Sequence, residues 1–287
     1  MTLRTLYVDF NSYFASVEQQ LCPKLRGKPV GVLPVMADTT CCIAASYEAK
    51  RYGVRTGTSV REARRLCPDI RLVLARPAVY VEQHHRLIEA VESCLHVDRV
   101  LSIDEMACRL TGSDCRRDRA LALARQIKHA IVEVGGAEIR CSIGIAPNTF
   151  LAKVASDMEK PDGLVVIEEP DLPEALYGLG LRDLCGIGKA MEQRLLRQGI
   201  RSVRDLYAAG REELRQAWAA SKGSGSMHGC AGRSCPNCLR SAAASATRTC
   251  CRPSCAPRRQ PTPSCTACCK RPQCAYAATD ASPAPCT

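Results

Sequence analysis

The 287-residue sequence predicts an α+β fold for residues 1–220, on three observations. Short runs rich in β-branched and apolar residues alternate with longer segments of helical period. Residues 97–110 predict a strand–turn–strand hairpin, so the sheet is antiparallel or mixed rather than wholly parallel. After Ala220 neither period persists, and residues 221–287 are dominated by Cys, Arg, Ser, Pro and Ala. We therefore expect a folded part with helices packed on a sheet, followed by an irregular tail.

Each predicted element has a local reason. A strand at 3–10 leads into an amphipathic helix at 11–21, and His84 and His85 of a later helix are interpreted as solvent-exposed. The remaining elements are β-rich runs at 28–35 and 41–45, a helix at 59–68 that Pro68 ends, a strand at 71–75, a helix at 78–95, the hairpin at 97–110, a helix at 117–135 that Gly135 and Gly136 end, a strand at 138–146 and a helix at 148–158 capped by Asn148.

The net charge of +11 is unevenly distributed. Residues 1–220 contain 31 basic and 28 acidic residues, whereas residues 221–287 contain nine basic residues and only Asp280. The basic excess is therefore weak evidence by itself for nucleic-acid binding. No apolar run approaches the ~18 residues of a membrane span, and no signal segment opens the chain. We expect a cytoplasmic protein, without membrane contact, whose nine cysteines before residue 221 stay reduced.

The tail has three competing interpretations. Two CxxC pairs, Cys235 with Cys238 and Cys265 with Cys268, are compatible with a zinc module, but eleven cysteines in 67 residues produce such spacings by chance. A disulfide-rich secreted domain is contradicted by the missing signal segment. A reading-frame shift in GC-rich DNA yields this composition, and we favour it. With or without a frame shift, we expect residues 221–287 to be disordered, because they bury too little apolar surface.

The segment "SIDEMACRL" (102–110) places Asp104 and Glu105 inside an apolar run. Ionised carboxylates stay in poorly solvated places only when they are paired, hydrogen-bonded or bound to a metal. Asp9 ends the first strand and, if it meets the hairpin, adds a third carboxylate. Mg²⁺ prefers such oxygen ligands together with substrate phosphates. The alternative is a solvated turn at 104–105 and a helix N-cap at Asp9.

Five ordered blocks carry a family resemblance across residues 3–218. They are "YVDFNSYFASVEQ", "ASYEAKRYGVRTG", "SIDEMACRLTG", "SIGIAPNTFLAKVASDMEKPDG" and "LCGIGKAMEQRLLRQGI". Together they resemble the Y-family of DNA polymerases, the translesion enzymes of the DinB/UmuC type. The resemblance implies a palm at 1–21 and 79–167, small fingers at 22–78 and a helix–hairpin–helix thumb at 168–220. The family's C-terminal little finger has no counterpart in the tail, so we expect weak, distributive DNA binding.

The resemblance also implies roles for residues of the first and third blocks. Asp9, Asp104 and Glu105, with the carbonyl of Phe10, would hold two Mg²⁺ ions, and Asp104 and Glu105 would be catalytic. Ser102 would help to orient the acid pair. In the family, the aromatic residue five positions after the first aspartate is the steric gate against ribonucleotides, and here that residue is Phe14. The alternative for Phe14 is a position in the hydrophobic core.

Further positions match the family's nucleotide and DNA contacts. Tyr13, Tyr47, Lys50 and Lys153 would bind the incoming dNTP, although many relatives have Arg at position 50 and Thr or Ser where this chain has Ala44. Backbone N–H groups around the GxG turn would contact a DNA phosphate, as helix N-termini do. The residues of this turn are Gly186, Ile187, Gly188 and Lys189.

The implied function is template-directed addition of dNTPs to a primer 3′-hydroxyl during DNA damage tolerance. The expected partners are primer–template DNA and dNTP, with a sliding clamp left open, and the expected state is a monomer. The alternatives are an inactive repair scaffold, a non-functional truncated product and, on the CxxC pairs, a zinc-binding regulatory protein. Scaffold relatives usually lose the acids, whereas Asp9, Asp104 and Glu105 all remain.

Overall fold

The computed structural model describes residues 3–219. The strands are β1 (Thr5–Phe10), β2 (Val30–Leu33), β3 (Ala44–Ala45), β4 (Arg71–Leu74), β5 (Val97–Val100), β6 (Glu105–Arg109), β7 (Cys141–Ala146) and β8 (Leu164–Val166). The helices are α1 (Tyr13–Leu21), α2 (Tyr47–Arg51), α3 (Val60–Leu66), α4 (Pro77–Glu92), α5 (Arg117–Gly135), α6 (Thr149–Met158), α7 (Lys189–Arg197), α8 (Val203–Ala208) and α9 (Arg211–Ala219). The expectations of zinc binding, disorder or a frame shift in the tail lie outside the described residues.

The main sheet has five strands in the order β5-β6-β1-β7-β8 and is mixed, as predicted. β6 and β7 both pair antiparallel with β1, β5 pairs antiparallel with β6, and β8 runs parallel to β7. The β5–β6 pairing confirms the hairpin around the acid pair. A smaller sheet has the order β3-β2-β4.

The period-2 alternation of β1 divides its side chains between two cores. Leu6, Val8 and Phe10 belong to a cluster shared with α1, α4 and α5. Tyr7 belongs to a second cluster with α6 and the helical segment after residue 175. The sheet is therefore covered on both faces, and a residue of β1 that faces Tyr7's side lies under α6.

Helix α6 lies unusually close to the sheet because β7 contains Gly144. A Cβ at this position would lie 1.9 Å from the carbonyl oxygen of Ala152, so only glycine permits the approach. Asn148 caps the helix, as predicted, by accepting a hydrogen bond from the Leu151 N–H at 2.9 Å. This packing brings Lys153, the next residue along α6, over the end of β1.

The helix–hairpin–helix expected in the thumb is only partly matched. A 3-10 turn (Leu181–Asp183), not an α-helix, precedes the GxG turn, and α7 follows it. The small elements α2 and β8 were also not predicted, because segments of five and three residues carry too little periodicity to identify. None of the helices within residues 3–219 has the length and apolar character that a membrane crossing needs.

The interpretation of His84 as solvent-exposed is wrong. His84 is only 8% exposed, and its Nδ1 has no hydrogen-bond partner among the described residues. The neighbouring His85 is exposed. The polar residues near position 84 suggested an exposed helix face, but other parts of the fold cover this part of α4.

We expect protonation of His84 to destabilise the protein. Burial, and next the charge of His85, lower the pKa of His84, so the unfolded chain takes up this proton first, near its ordinary pKa of about 6.5. The stabilising contribution is present above pH 6.5 and is lost as the pH falls through the lower folded-state pKa. Denaturant unfolding of the wild type between about pH 7.5 and pH 5 should show this loss, and His84→Gln should reduce it. His96→Gln, at an exposed histidine that does not contribute to the lowered pKa of His84, is the control, and an equal pH dependence in all three proteins would contradict the prediction.

Candidate active site

The carboxylates that the sequence predicted to converge lie at adjacent strand ends. Asp9 of β1 is directly opposite Glu105 of β6 in the antiparallel register. The Phe10 N–H donates to the Asp104 carbonyl oxygen at 2.8 Å, which fixes the turn before β6 against β1. Asp9 is 5% exposed, an unusual burial for an acid. Cross-strand pairing therefore brings distant parts of the chain together at one sheet edge.

Two lysines balance this buried negative charge. Lys153 Nζ lies 2.5 Å from Asp9 Oδ2, 2.9 Å from Glu105 Oε1 and 3.0 Å from Asp157 Oδ1. Lys160 Nζ contacts Asp9 and Asp157, at 2.8 Å each. Lys160 was not among the predicted site residues. A signal was present, since "MEKPDG" belongs to one of the five blocks. Lys160 follows the end of α6, however, so the helical period could not predict which way its side chain points.

The pKa values reflect this competition between burial and pairing. Burial raises the pKa of Asp9, and the attraction of Lys153 and Lys160 offsets only part of that rise. For Lys153, burial works to lower the pKa, but the charge of Asp9 and hydrogen bonds to Asp9 and Glu105 outweigh it and raise the pKa well above the ordinary value. Lys153 is therefore charged throughout the physiological pH range.

Each member of the acid pair accepts a hydrogen bond from a hydroxyl group. Ser102 Oγ donates to Asp104 Oδ1 at 2.6 Å, within the same turn, which agrees with the orienting role expected of Ser102. The Tyr7 hydroxyl donates to Glu105 Oε2 at 2.9 Å from the neighbouring strand. Sequence analysis did not identify Tyr7, although its position two residues before Asp9 places both side chains on one face of β1.

The carboxylate oxygens of the site suit a hard cation, although they are not arranged around a common point as metal ligands are. Within residues 3–219 no three His, Cys, Asp or Glu side chains converge on one point as a metal cluster. The reason is visible at the centre of the site, where the ammonium group of Lys153 lies between Asp9 and Glu105. Carboxylates that already share one cation fit a divalent oxygen-liganded ion, provided that Lys153 withdraws.

A second set of predicted residues lies beside the acids. Ser12, between β1 and α1, has a left-handed backbone (φ 48°), which is uncommon outside glycine. Its Oγ accepts a hydrogen bond from Lys50 Nζ at 2.7 Å, and Lys50 also lies 4.4 Å from the centroid of the Tyr47 ring. Burial, and next the charge of Lys160, lower the pKa of Lys50. Burial, and next the charge of Asp9, raise the pKa of Tyr47 to about 12.

The aromatic residues of α1 have different surroundings. Phe14 is half-buried and stacks on Tyr80 of α4, with ring centroids 4.4 Å apart and planes inclined by 15°. The hydroxyl of the buried Tyr13 donates to the Tyr80 carbonyl oxygen at 2.7 Å, so a nucleotide contact by Tyr13 is left to its ring or backbone. Tyr80 in turn donates to Glu18, which also binds Arg76 through two hydrogen bonds.

One open cleft collects most of these residues. It lies between the sheet edge and the small sheet, and its lining combines acids, lysines and one aromatic wall. The lining residues are Asp9, Phe10, Ser12, Tyr13, Phe14, Ile43, Ala44, Ala45, Lys50, Thr56, Asp104, Glu105, Lys153 and Lys160.

The predicted DNA-contacting turn precedes α7. Gly186 has φ 90° and Gly188 is the N-cap residue of the helix. Ile187 is 6% exposed and belongs to the second core cluster, so its side chain anchors the turn, whereas Lys189 is exposed.

Comparison with known proteins agrees with this architecture. The family model described as impB/mucB/samB matches residues 8–157. DNA polymerase IV of Moorella thermoacetica is 40% identical over 203 residues, and that of Pelotomaculum thermopropionicum is 37% identical over 214 residues. The crystal structure of DinB from Sulfolobus solfataricus superimposes with a TM-score of 0.69 at 30% identity, and an insertion ternary complex of Dbh DNA polymerase gives the same two values.

The mixed sheet places the carboxylates at adjacent strand ends, where they line a cleft together with lysine side chains. The chain belongs to the impB/mucB/samB family and has the core of a DinB-type Y-family polymerase. The alignments cover 70% and 74% of this chain, but 50% and 52% of the two relatives. The structural superpositions cover 84% of this chain and 66% and 67% of the two solved chains. The chain thus spans about half the length of the curated relatives it matches.

Proposed function

We propose that this protein is a DNA-directed DNA polymerase of the translesion type, which adds dNTPs to a primer 3′-hydroxyl. The observation that carries the proposal is the single cleft lined by Asp9, Asp104 and Glu105 together with three lysines and Phe14. The names of the relatives support it. The acids argue against the alternative of an inactive scaffold, because a scaffold has no need for three carboxylates in one cleft with three lysines.

The carboxylates of Asp9, Asp104 and Glu105, with the carbonyl of Phe10, are the proposed holders of two Mg²⁺ ions. When bound, such ions stabilise the attacking and leaving oxygens of an in-line displacement. The reaction forms a bond from the primer 3′-oxygen to the α-phosphorus of the dNTP and breaks the bond from that phosphorus to the bridging oxygen. The hydroxyl proton passes to solvent, and pyrophosphate leaves.

The lysines are the proposed partners of the triphosphate. Lys153 and Lys160 now neutralise Asp9, and their long side chains can turn towards phosphate oxygens once those carboxylates bind a cation. Lys50, whose ammonium group lies 4.4 Å from the centroid of the Tyr47 ring, is a third proposed cationic partner, and the Tyr47 hydroxyl is a proposed hydrogen-bond donor. Phe14, stacked on Tyr80, is the proposed barrier to a ribose 2′-hydroxyl. The neighbouring Tyr13, with its ring centroid 5.8 Å from that of Phe14, is a proposed nucleotide contact.

The proposed division of the chain is a palm (1–21 and 79–167), fingers (22–78) and a thumb (168–220). The small sheet with α2 and α3 has its own apolar cluster, which supports a separate fingers unit. The backbone of Gly186, Ile187 and Gly188, with Lys189, is the proposed contact to a DNA phosphate, a kind of contact that ignores base sequence and weakens with salt. The expected weak grip on duplex DNA stays a prediction.

Replacement of Lys50 by Ala should weaken dNTP binding. A hydrogen bond to a charged group contributes about 1.5–3 kcal/mol, so the KM for dNTP should rise roughly 10- to 100-fold, with a smaller change in kcat. Steady-state primer extension measures both parameters. Lys50→Arg should retain most of the affinity, because the charge remains. Lys24→Ala, at an exposed lysine outside the cleft, is the matched control; an equal rise in KM there would contradict a specific role.

The function itself is tested with the full chain. Purified protein should extend a primed template when Mg²⁺ and the four dNTPs are present, and chelation of the metal should stop extension. Binding of primer–template without extension, over a range of Mg²⁺ and Mn²⁺ concentrations, would favour the scaffold alternative. Bound zinc without Mg²⁺-dependent synthesis would favour the regulatory one.

A further inference from the structure

The hydroxyl of Tyr7 is a feature of the site to which neither the family resemblance nor the predicted site residues give a role. Its side chain is 3% exposed and belongs to the core cluster under α6. In the strand register Tyr7 lies opposite Ala107, and Asp9 lies opposite Glu105. Tyr7 and Glu105 are therefore diagonal neighbours on one sheet face, a separation that an aromatic side chain can span. The small Ala107 leaves the tyrosine room to do so.

The two oxygens of Glu105 have partners of different kinds. Oε1 lies 2.9 Å from the ammonium group of Lys153, and Oε2 accepts the Tyr7 hydroxyl hydrogen bond, also at 2.9 Å. Lys153 shares its charge among three carboxylates on a flexible chain, whereas Tyr7 is a neutral donor on a ring packed in the core. A cation that displaces Lys153 from Oε1 would leave the contact at Oε2 intact.

We propose that Tyr7 is a positioning residue, which holds the Glu105 carboxylate by one oxygen so that the other points into the cleft towards a divalent cation. The inference rests on the proposed function and assigns the orientation of one of its metal-binding groups. Partners that orient a metal-binding carboxylate typically change metal affinity or activity 10- to 100-fold when they are removed. Ser102 has the corresponding position for Asp104, so each acid of the pair has its own hydroxyl donor.

The pKa of Tyr7 supports a permanent donor. Burial, and next the negative charge of Glu105, raise the pKa of the phenol far above its ordinary value. At neutral pH the hydroxyl therefore keeps its proton and can donate to Glu105.

Tyr7→Phe tests the proposal because it removes the hydroxyl and keeps the packed ring. The measurement is Mn²⁺ affinity, followed by electron paramagnetic resonance, of the full chain with a dideoxy-terminated primer–template and dNTP, so that no bond is made. We expect the Mn²⁺ Kd to rise roughly 10- to 100-fold. In primer extension, kcat should fall while the KM for dNTP stays near the wild-type value.

Two controls separate positioning from a general structural effect. Tyr177→Phe removes the same atom from a half-buried tyrosine that does not line the cleft, and should leave the Mn²⁺ Kd unchanged. In a Glu105→Gln background, Tyr7→Phe should cause no further change, because the two groups act as one unit. Tyr7→Met serves as a second hydroxyl-free variant in case Tyr7→Phe does not fold.

The outcomes distinguish the two levels of the argument. Wild-type Mn²⁺ affinity in Tyr7→Phe, or an equal loss in the Glu105→Gln background, overturns the positioning role and leaves the polymerase proposal standing. If the wild-type complex binds no Mn²⁺ and extends no primer, both fall.

Discussion

Asp104→Ala should abolish primer extension and leave binding of primer–template nearly unchanged. The carboxylate lies in the turn before β6 and lines the cleft, where the proposed function gives it a metal ion rather than DNA to hold. Metal stabilisation of a displacement contributes several kcal/mol, and each 1.36 kcal/mol is a factor of ten in rate. We therefore expect kcat to fall by at least about 10³-fold.

Single-turnover extension and fluorescence anisotropy on the same primer–template measure the two quantities for Asp104→Ala. Asp98→Ala is the matched control, because Asp98 lies in the same hairpin, on β5, and forms surface ion pairs with Arg99 and Arg109. It should extend normally. If Asp104→Ala retains a rate within tenfold of the wild type, the assignment of the acid pair is wrong.

Phe14→Ala should allow the protein to incorporate ribonucleotides. Phe14 forms the aromatic wall of the cleft, and its stack on Tyr80 prevents it from moving aside. A pocket that discriminates by shape alone rejects a substrate with one added hydroxyl by only about 10²-fold. Removal of the Phe14 ring should therefore eliminate a preference for dNTP over rNTP of roughly that size. The ratio of kcat/KM for dNTP to that for the matching rNTP is the measurement.

Loss of a half-buried phenyl ring also lowers stability, so the control must share that cost. Phe150→Ala removes a partly buried ring of α6 that packs in the second core cluster, away from the cleft lining. It should keep the wild-type sugar preference despite its lower free energy of unfolding. An unchanged preference in Phe14→Ala, or the same change in Phe150→Ala, would remove Phe14 from the role of steric gate.

Strongly periodic segments and capping residues were predictable from the sequence. The hairpin at 97–110, the long helices α4 and α5 and the Asn148 cap are local consequences of hydrophobic period and hydrogen-bonding chemistry, and the structure confirms them. The convergence of Asp9 with Glu105 was also predicted. It follows from two strand ends meeting in antiparallel register, which the pattern of acids at strand ends suggests before the fold is known.

Contacts that depend on how the helices pack against the rest of the fold were not predictable. The positions of Lys153 and Lys160 on Asp9 depend on how closely α6 approaches the sheet over Gly144. The burial of His84 depends on what covers one face of α4. Neither property has a local sequence signal, because each is decided by the shape of a surface that another part of the chain supplies.

The order of strands and helices, the chemical types of the site residues and the face of β1 that bears both Tyr7 and Asp9 were determined by the amino-acid sequence alone. Tertiary packing alone decided which atoms meet: the Tyr7 hydroxyl with Glu105, the Lys153 ammonium group with three carboxylates, and the Phe14 ring with Tyr80. The physical reason is range. Periodicity and capping act over a few residues, whereas hydrogen bonds and ion pairs between strands and helices require coordinates that only the assembled core fixes.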